Sequence, residues 1–455
     1  MSKKKKKKQP KPTLTQKTAA CFKSGAIRAR QAAVRIREDA PKAAALLYKK
    51  TDAFIRYKWS AAPIALVMLA LMLFSYSYTR YHYLFGNFPM YATRITQLYL
   101  IDYRVGFVSR ALVGHVISLF TDKVSMALIV HLTHAALWIS LILQAGLAAM
   151  AFKKAWLNKN GLLCALFLLF ALSHHTVIPN VINFGVLDTY NLILVCFYIY
   201  LSDTKAGKWL APLVCFTGII LHYEFVLAYL TLVLSVELYY IVQKRRGRGL
   251  RIFLFCLTVL GSAALTVYLT FFSKSHVKMT AEELAALMRA KFTDARTAGV
   301  FDEYFTYYIY GDYQGVNYSA PADFVKFLVA YALERIEPLS HVLYALSTFP
   351  VFGIFVYFWI YILKQKPKAE RLPYLVFMLQ PLMLALAMTV STDTSRWAGA
   401  AWFSNYMLLY TVWKNETPLL DAAARAAVNR PWKKAAAAIV ILGAYACVAY
   451  IYTSQ

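Results

Sequence analysis

The sequence predicts an all-α fold, a polytopic membrane helical bundle of about eleven transmembrane helices with two large outer loops. Three observations carry this. Hydrophobic residues make up 60% of the 455 positions, and the mean hydropathy is positive at +0.48. Apolar runs such as Ala61 to Phe74 and Ile252 to Phe272 have about the length that crosses a bilayer core. Lysine and arginine concentrate in every second connection between such runs.

Taken in order, the spans are 60 to 77, 125 to 152, 161 to 174, 185 to 202, 209 to 222, 224 to 243, 251 to 273, 340 to 363, 372 to 390, 397 to 413 and 434 to 452. The fifth and sixth are read as two helices with a turn at LHYEF. One helix of about 35 residues would run roughly 52 Å, well beyond a hydrocarbon core of ~30 Å. Merging them would also carry QKRRGRGLR (243 to 251) to the wrong side.

Residues 1 to 59 precede the bundle and hold 18 Lys/Arg against 3 acids. KKKKKKQPKP is low-complexity, and Thr18 to Lys58 interleaves Ala, Leu and Ile with basic residues, as a surface-lying amphipathic helix does. The net charge of +28 sits largely on this tail, which points to anionic lipid headgroups and away from nucleic acid. A plain topogenic tail held in the cytoplasm accounts for the same charge. Nothing in the tail reads as a cleavable signal peptide, so the first span is expected to stay.

With the tail cytoplasmic, FKKAWLNKN, SDTKAGK, QKRRGRGLR, KQKPKAER and Lys414 to Lys434 all fall inside, each with at least two Lys/Arg. Residues 78 to 124, SHHTVIPNVINFG, LHYEF, 274 to 339 and STDTSR fall outside, as does the C-terminus. The expected location is the plasma membrane, multi-pass.

The outer connections gather the polar residues that avoid lipid: Asp102, Arg104, Arg110, His174, His175, Asn183, Asp188, His222, Glu224, Asp393 and Arg396. Such groups line a substrate path or pair with one another. Each also has a simpler explanation. Arg110 and Arg396 suit interfacial anchors, His174 and His175 solvated loop residues, His222 and Glu224 a mutual pair, and Asp188 a helix cap or an arginine's partner.

IDYRVGFVSRALVGH (101 to 115) is the most informative stretch. Arg94, Leu98, Ile101 and Val105 have near-helical spacing, so short surface helices are expected. Asp102 among arginines stays ionised and suits a general base, while planar guanidinium forks suit a phosphate. In the second loop, MTAEELAALMRAKF reads as a helix with a capping box of Thr280 and Glu283. FDEYFTYYIYGDYQGVNY follows, with Tyr307 and Tyr310 among aromatics that stack on sugar rings or rest as an interfacial belt.

The six cysteines show no CxxC or Cys/His metal spacing and read as core. GxGxxG after a strand, GxxxxGK[ST], HExxH and GxSxG are absent, which excludes an ATP-driven pump acting through this chain alone. Isolated acids such as Asp102 and Asp188 leave room for a divalent cation, Mg²⁺ or Ca²⁺.

This layout, together with STDTSRWAG, in which Asp393 and Arg396 precede the tenth span, resembles the GT-C superfamily of membrane glycosyltransferases. The resemblance covers residues 60 to 452 and is one of architecture. It implies transfer of a sugar from a polyprenyl-phosphate carrier to a glycan or other acceptor at the outer face. Asp102 would be its first-loop carboxylate, although no acid follows the first span directly, and Glu224 and Asp188 compete for that role. Arg110 and Arg396 would hold the phosphate, with Arg104 either a second clamp or the partner that keeps Asp102 ionised, and His174, His175, His222, Asp393, Tyr307 and Tyr310 as further substrate contacts. Two other readings stand beside it: an envelope polysaccharide polymerase or ligase with a histidine base, and a lipid-linked oligosaccharide flippase. The lack of a repeat between halves speaks against the flippase.

Overall fold

A computed structural model of the chain describes residues 45–80, 92–181, 187–222, 224–243, 247–272, 277, 279–293, 338–383 and 394–453. Asp393, Asn183, Tyr307, Tyr310 and the rest of the aromatic stretch lie outside these residues. The described residues are helical, with a single parallel β-bridge between Val124 and Phe292. Among the described residues, five helices are by length and composition apolar enough to cross a membrane: Lys58–Ser75, Met126–Leu157, Val226–Gln243, Arg248–Thr270 and Val342–Gln365. Three shorter apolar helices accompany them.

The chain divides into two units, Met1–Ser60 and Ala61–Gln455. In the first, residues 45–56 are helical and a 3₁₀ turn covers Lys58–Ser60. Leu46, Leu47, Phe54 and Tyr57 are exposed at positions that share one side of this helix, and Lys49, Asp52 and Arg56 share the other. Arg56 Nε bonds Asp52 Oδ2 at 2.8 Å, one turn back.

The helices of the second unit are α1 (Ala61–Arg80), α2 (Ala92–Leu100), α3 (Leu112–Ser118), α4 (Met126–Leu157), α5 (Gly161–Leu172), α6 (His174–Val181), α7 (Asp188–Leu201) and α8 (Gly207–Leu221). They continue with α9 (Thr231–Gln243), α10 (Arg248–Val267), α11 (Ala281–Lys291), α12 (Pro338–Gln365), α13 (Leu372–Leu379), α14 (Thr394–Asn415), α15 (Thr417–Ala427) and α16 (Pro431–Thr453). A π-helical turn, Val226–Leu230, leads into α9. The expected break between the fifth and sixth spans is present: α8 ends at Leu221 and His222 is extended, with φ −159° and ψ 117°.

Helix α14 runs through the interior and is buried almost along its whole length from Trp397 to Trp413. It packs on α6, α12 and α9. Trp402 and Tyr406 stack with Phe170, Phe352 and Phe355, and the indole N–H of Trp402 donates to Thr176 Oγ1 at 3.2 Å. A helix buried on all sides needs apolar or hydrogen-bonded residues all round. Ser404, Asn405 and Thr411 meet that requirement by donating to Ala228 O, Ala401 O and Met407 O.

The five basic connections meet at one end of the bundle. Lys154 Nζ donates to Trp413 O and Lys414 O at 3.0 and 3.1 Å, and Lys414 Nζ to Asp203 Oδ1 at 2.8 Å. Arg251 joins Glu237 at 2.8 Å and Ser202 O at 3.1 Å. Lys366 reaches Glu416 at 2.5 Å and Gln243 at 3.3 Å. The basic connections that the sequence assigns to one side therefore share one end of this unit.

The long connection after α1 differs from its expectation in one respect. The helical spacing predicted from Arg94 to Val105 stops at Leu100, because Asp102 Oδ1 accepts the Arg104 backbone N–H at 2.9 Å and closes an Asx turn. Leu98 to Ile101, Val105, Val108 and Ala111 then pack as a buried apolar cluster with Ile129, Leu187, Leu284 and Met288. Gly114 permits this, since an added Cβ would stand 2.0 Å from Ile101 O. Gly114→Val is expected to cost about 1–3 kcal/mol of stability by overpacking, read from thermal unfolding of the purified protein.

Candidate functional site

Two ionic clusters stand where polar residues were expected. The first surrounds Asp102, which is 1% exposed. Arg104 clasps it, with NH2 2.7 Å from Oδ2 and Nε 3.1 and 2.9 Å from Oδ1 and Oδ2. Lys291 Nζ donates to the same carboxylate and also to Leu100 O at 2.9 Å. Burial alone would raise the Asp102 pKa, but the bonds from Arg104 and then Lys291 overcome it and hold the group at about 2.

Lys291 ends α11, which begins with the expected capping box: Glu283 N–H donates to Thr280 Oγ1 at 3.2 Å and Thr280 N–H to Glu283 Oε2 at 2.8 Å. The Val124–Phe292 bridge ties down the other end, with Val124 N–H to Lys291 O at 2.8 Å and Thr293 N–H to Val124 O at 3.1 Å. Asp102 thus anchors the second long connection onto the first. Its stabilising charge is present above the unfolded carboxylate pKa of about 3.9 and is lost as pH falls through about 2. Hydrogen exchange in residues 281–291 is expected to stay slow at pH 5 and to quicken between pH 4 and 2.

The second cluster joins three connections. Arg396, in the first turn of α14, pairs through Nε with Asp188 Oδ2 at 3.0 Å and through NH1 with Glu224 Oε2. Asp188 opens α7, where a carboxylate suits the positive end of the helix dipole. Arg396 sits at the corresponding end of α14, where a cation is disfavoured unless carboxylates neutralise it. Of the two readings offered for Asp188, the arginine's partner holds: the N-cap is Leu187, with no side-chain cap.

His222 Nδ1 accepts the Glu224 N–H at 3.2 Å and lies 3.7 Å from Glu224 Oε2. The ring is buried, within electrostatic reach of Arg110, Asp188 and Arg396. Because Nδ1 accepts the Glu224 N–H, Nε2 is the ring nitrogen left to donate.

Arg110 is held beside this turn by its backbone: its N–H donates to Ile220 O at 3.1 Å, and its φ is +71°. A left-handed arginine costs about 1 kcal/mol, a cost tolerated because it brings the residue next to His222. Gly218 sits one turn before that histidine, and a Cβ there would stand 2.3 Å from the buried Phe225 ring. Gly218→Ala is expected to displace the Phe225 ring and cost about 1–3 kcal/mol of stability, read from thermal unfolding of the purified chain.

Asp188, Glu224, His222, Arg396 and Arg110 are thus brought together, while Asp102 and Arg104 belong to the loop anchor. His174 and His175 are buried at the start of α6 and are not solvated loop residues. His175 Nε2 lies 2.8 Å from Ser347 Oγ, and its ring stacks on Trp402 and Tyr344. That arrangement serves helix packing.

Two residues near the second cluster were not anticipated. Tyr229 lies within electrostatic reach of Asp188 and Arg396. Asn191 is 1% exposed, three residues beyond Asp188, and its Oδ1 has no hydrogen-bond partner among the described residues. The i, i+3 spacing from Asp188 is the signal that identifies Asn191.

No protein-family model matches the chain, and no curated protein or solved structure matches it.

Proposed function

We propose that the chain is an integral membrane glycosyltransferase of GT-C type. It would take a sugar from a polyprenyl-phosphate carrier and pass it to an acceptor hydroxyl at the outer face of the plasma membrane. The reading takes eleven spans, a cytoplasmic N-terminus and an external C-terminus. The observation that carries it is the meeting of two carboxylates from separate connections on one arginine, beside a buried histidine and a second arginine.

Glu224 is the base in this reading. It is the more exposed of the two carboxylates on Arg396, at 22% against 10% for Asp188. Asp102 is unsuited, because a buried carboxylate with two cationic partners and a pKa of about 2 is a weak proton acceptor. Glu224 takes the proton from the acceptor hydroxyl as its oxygen bonds to the sugar's anomeric carbon. The bond from that carbon to the carrier phosphate breaks, and the electron pair leaves with the phosphate. Arg396, drawn from the carboxylates, and Arg110 stabilise the departing negative charge. The carrier's own phosphate bond supplies the driving force, so no nucleotide is needed.

The test uses purified protein in lipid nanodiscs with a series of polyprenyl-phosphate sugars, following release of the carrier phosphate. Turnover lost in Arg396→Lys and retained in Asp102→Asn supports this assignment. Loss in His222→Gln with retention in Glu224→Gln would move the base to histidine, as in the polymerase or ligase reading.

A further inference from the structure

We propose that Asp188, His222 and Glu224 form a binding site for one divalent transition-metal cation, of the Mn²⁺ or Zn²⁺ class, and that Arg396 holds the two carboxylates when the metal is absent. The inference concerns the same cluster as the proposed reaction but stands on donor geometry and not on turnover; a metal on Glu224 occupies the proposed base, so the loaded state is one that binds donor without transferring the sugar. One donor atom from each of the three residues lies within 4.8 Å of the other two. Bonds of about 2.0–2.2 Å place neighbouring ligands about 3 Å apart, so side-chain rotations on the order of 1 Å gather the set. The nitrogen of His222 that faces Glu224 is Nδ1. Its hydrogen bond from the Glu224 N–H is long, at 3.2 Å, and is the contact a metal would replace.

A second observation points to a ligand at this place. The amide of Asn191 is buried on α7 one turn beyond Asp188, and its Oδ1 accepts no hydrogen bond among the described residues. Buried amide oxygens are ordinarily satisfied. Its i, i+3 spacing puts it on the same side of α7 as Asp188. The chemistry of the set narrows the ion. Mg²⁺ and Ca²⁺ favour all-oxygen shells, whereas an imidazole alongside carboxylates favours Mn²⁺, Zn²⁺ and their neighbours. This moves the cation from Asp102, whose oxygens are taken by Arg104 and Lys291, to a site that contains a histidine.

Charge accounts for the alternation with Arg396. Two carboxylates carry two negative charges and Arg396 supplies one positive, so a dication balances the pair fully and releases the guanidinium. The released arginine is then available to an anionic substrate group. Arginine and metal compete for the same oxygens, and a purely structural ion pair would not show that competition.

The experiment titrates the metal-stripped full chain in nanodiscs with Mn²⁺ and reads free Mn²⁺ by electron paramagnetic resonance, with no sugar donor present. The expected result is one site per chain. Asp188→Asn and His222→Ala should each weaken it at least about tenfold, and Arg396→Ala should tighten it. The conservative Glu224→Asp should retain binding, and serves if the other variants fail to fold. No saturable site in the parent, an affinity indifferent to Asp188→Asn and His222→Ala, or weaker binding in Arg396→Ala would overturn the proposal. Binding without any glycosyl transfer by the metal-free chain would leave the metal site standing and remove the reaction; transfer indifferent to metal would do the reverse.

Discussion

Glu224→Gln is expected to lower glycosyl transfer by about 10²–10⁴-fold, the range a general base contributes, while the protein folds as before. Glutamine keeps the length of the side chain and its hydrogen bond to Arg396, and Arg396 retains Asp188, 3.0 Å away. At 22% exposure the residue is reachable by an acceptor. The decisive comparison is turnover at saturating donor for Glu224→Gln against Asp188→Asn. In the proposed reaction Asp188, buried at the helix start, positions Arg396 while Glu224 takes the proton, so loss of Asp188 should raise the donor KM more than it lowers kcat. Equal loss of kcat in both variants would make the two carboxylates interchangeable and contradict the assignment.

The largest effect on stability is expected from Asp102→Ala, about 3–5 kcal/mol. Removal of the carboxylate leaves the Lys291 ammonium, 5% exposed, without its counter-charge, whereas Arg104, at 49%, turns to solvent. The double variant Asp102→Ala/Lys291→Met should regain much of that loss, because an apolar side chain then fills the space against Leu284 and Met288. Thermal unfolding of the single and double variants measures the coupling. A double variant no more stable than Asp102→Ala would mean that the pair is not what docks α11.

Much of the bundle was legible because each span is a local pattern. The break at LHYEF follows from length against bilayer thickness, and the Thr280/Glu283 box is a four-residue motif. The common end of the basic connections follows from where lysine and arginine fall, and the bonds from Lys154, Arg251, Lys366 and Lys414 realise it. The co-location of Asp188, Glu224 and Arg396 was legible only as a shared end of the bundle. The pairing itself depends on how α7 and α14 pack, which no local pattern encodes.

Asp102 was misleading for the same reason. Its nearest sequence neighbours are arginines, but the partner that buries it, Lys291, is 189 residues away. A signal did exist: Leu284, Met288 and Lys291 share one face of α11, and a lysine on an apolar face requires a counter-charge. The extended turn at His222 and the left-handed Arg110 were not readable, because each is imposed by contacts between segments far apart in the chain.

The central claim, a carrier phosphate held beside Glu224, is tested most directly by an experimental density map of the chain in nanodiscs with a polyprenyl phosphate bound. The account predicts phosphate density within about 3 Å of the guanidinium groups of Arg396 and Arg110, with Glu224 facing the position of the sugar. Phosphate density resting on Arg104 and Lys291, with Arg396 still clasping Asp188 and Glu224, would contradict it.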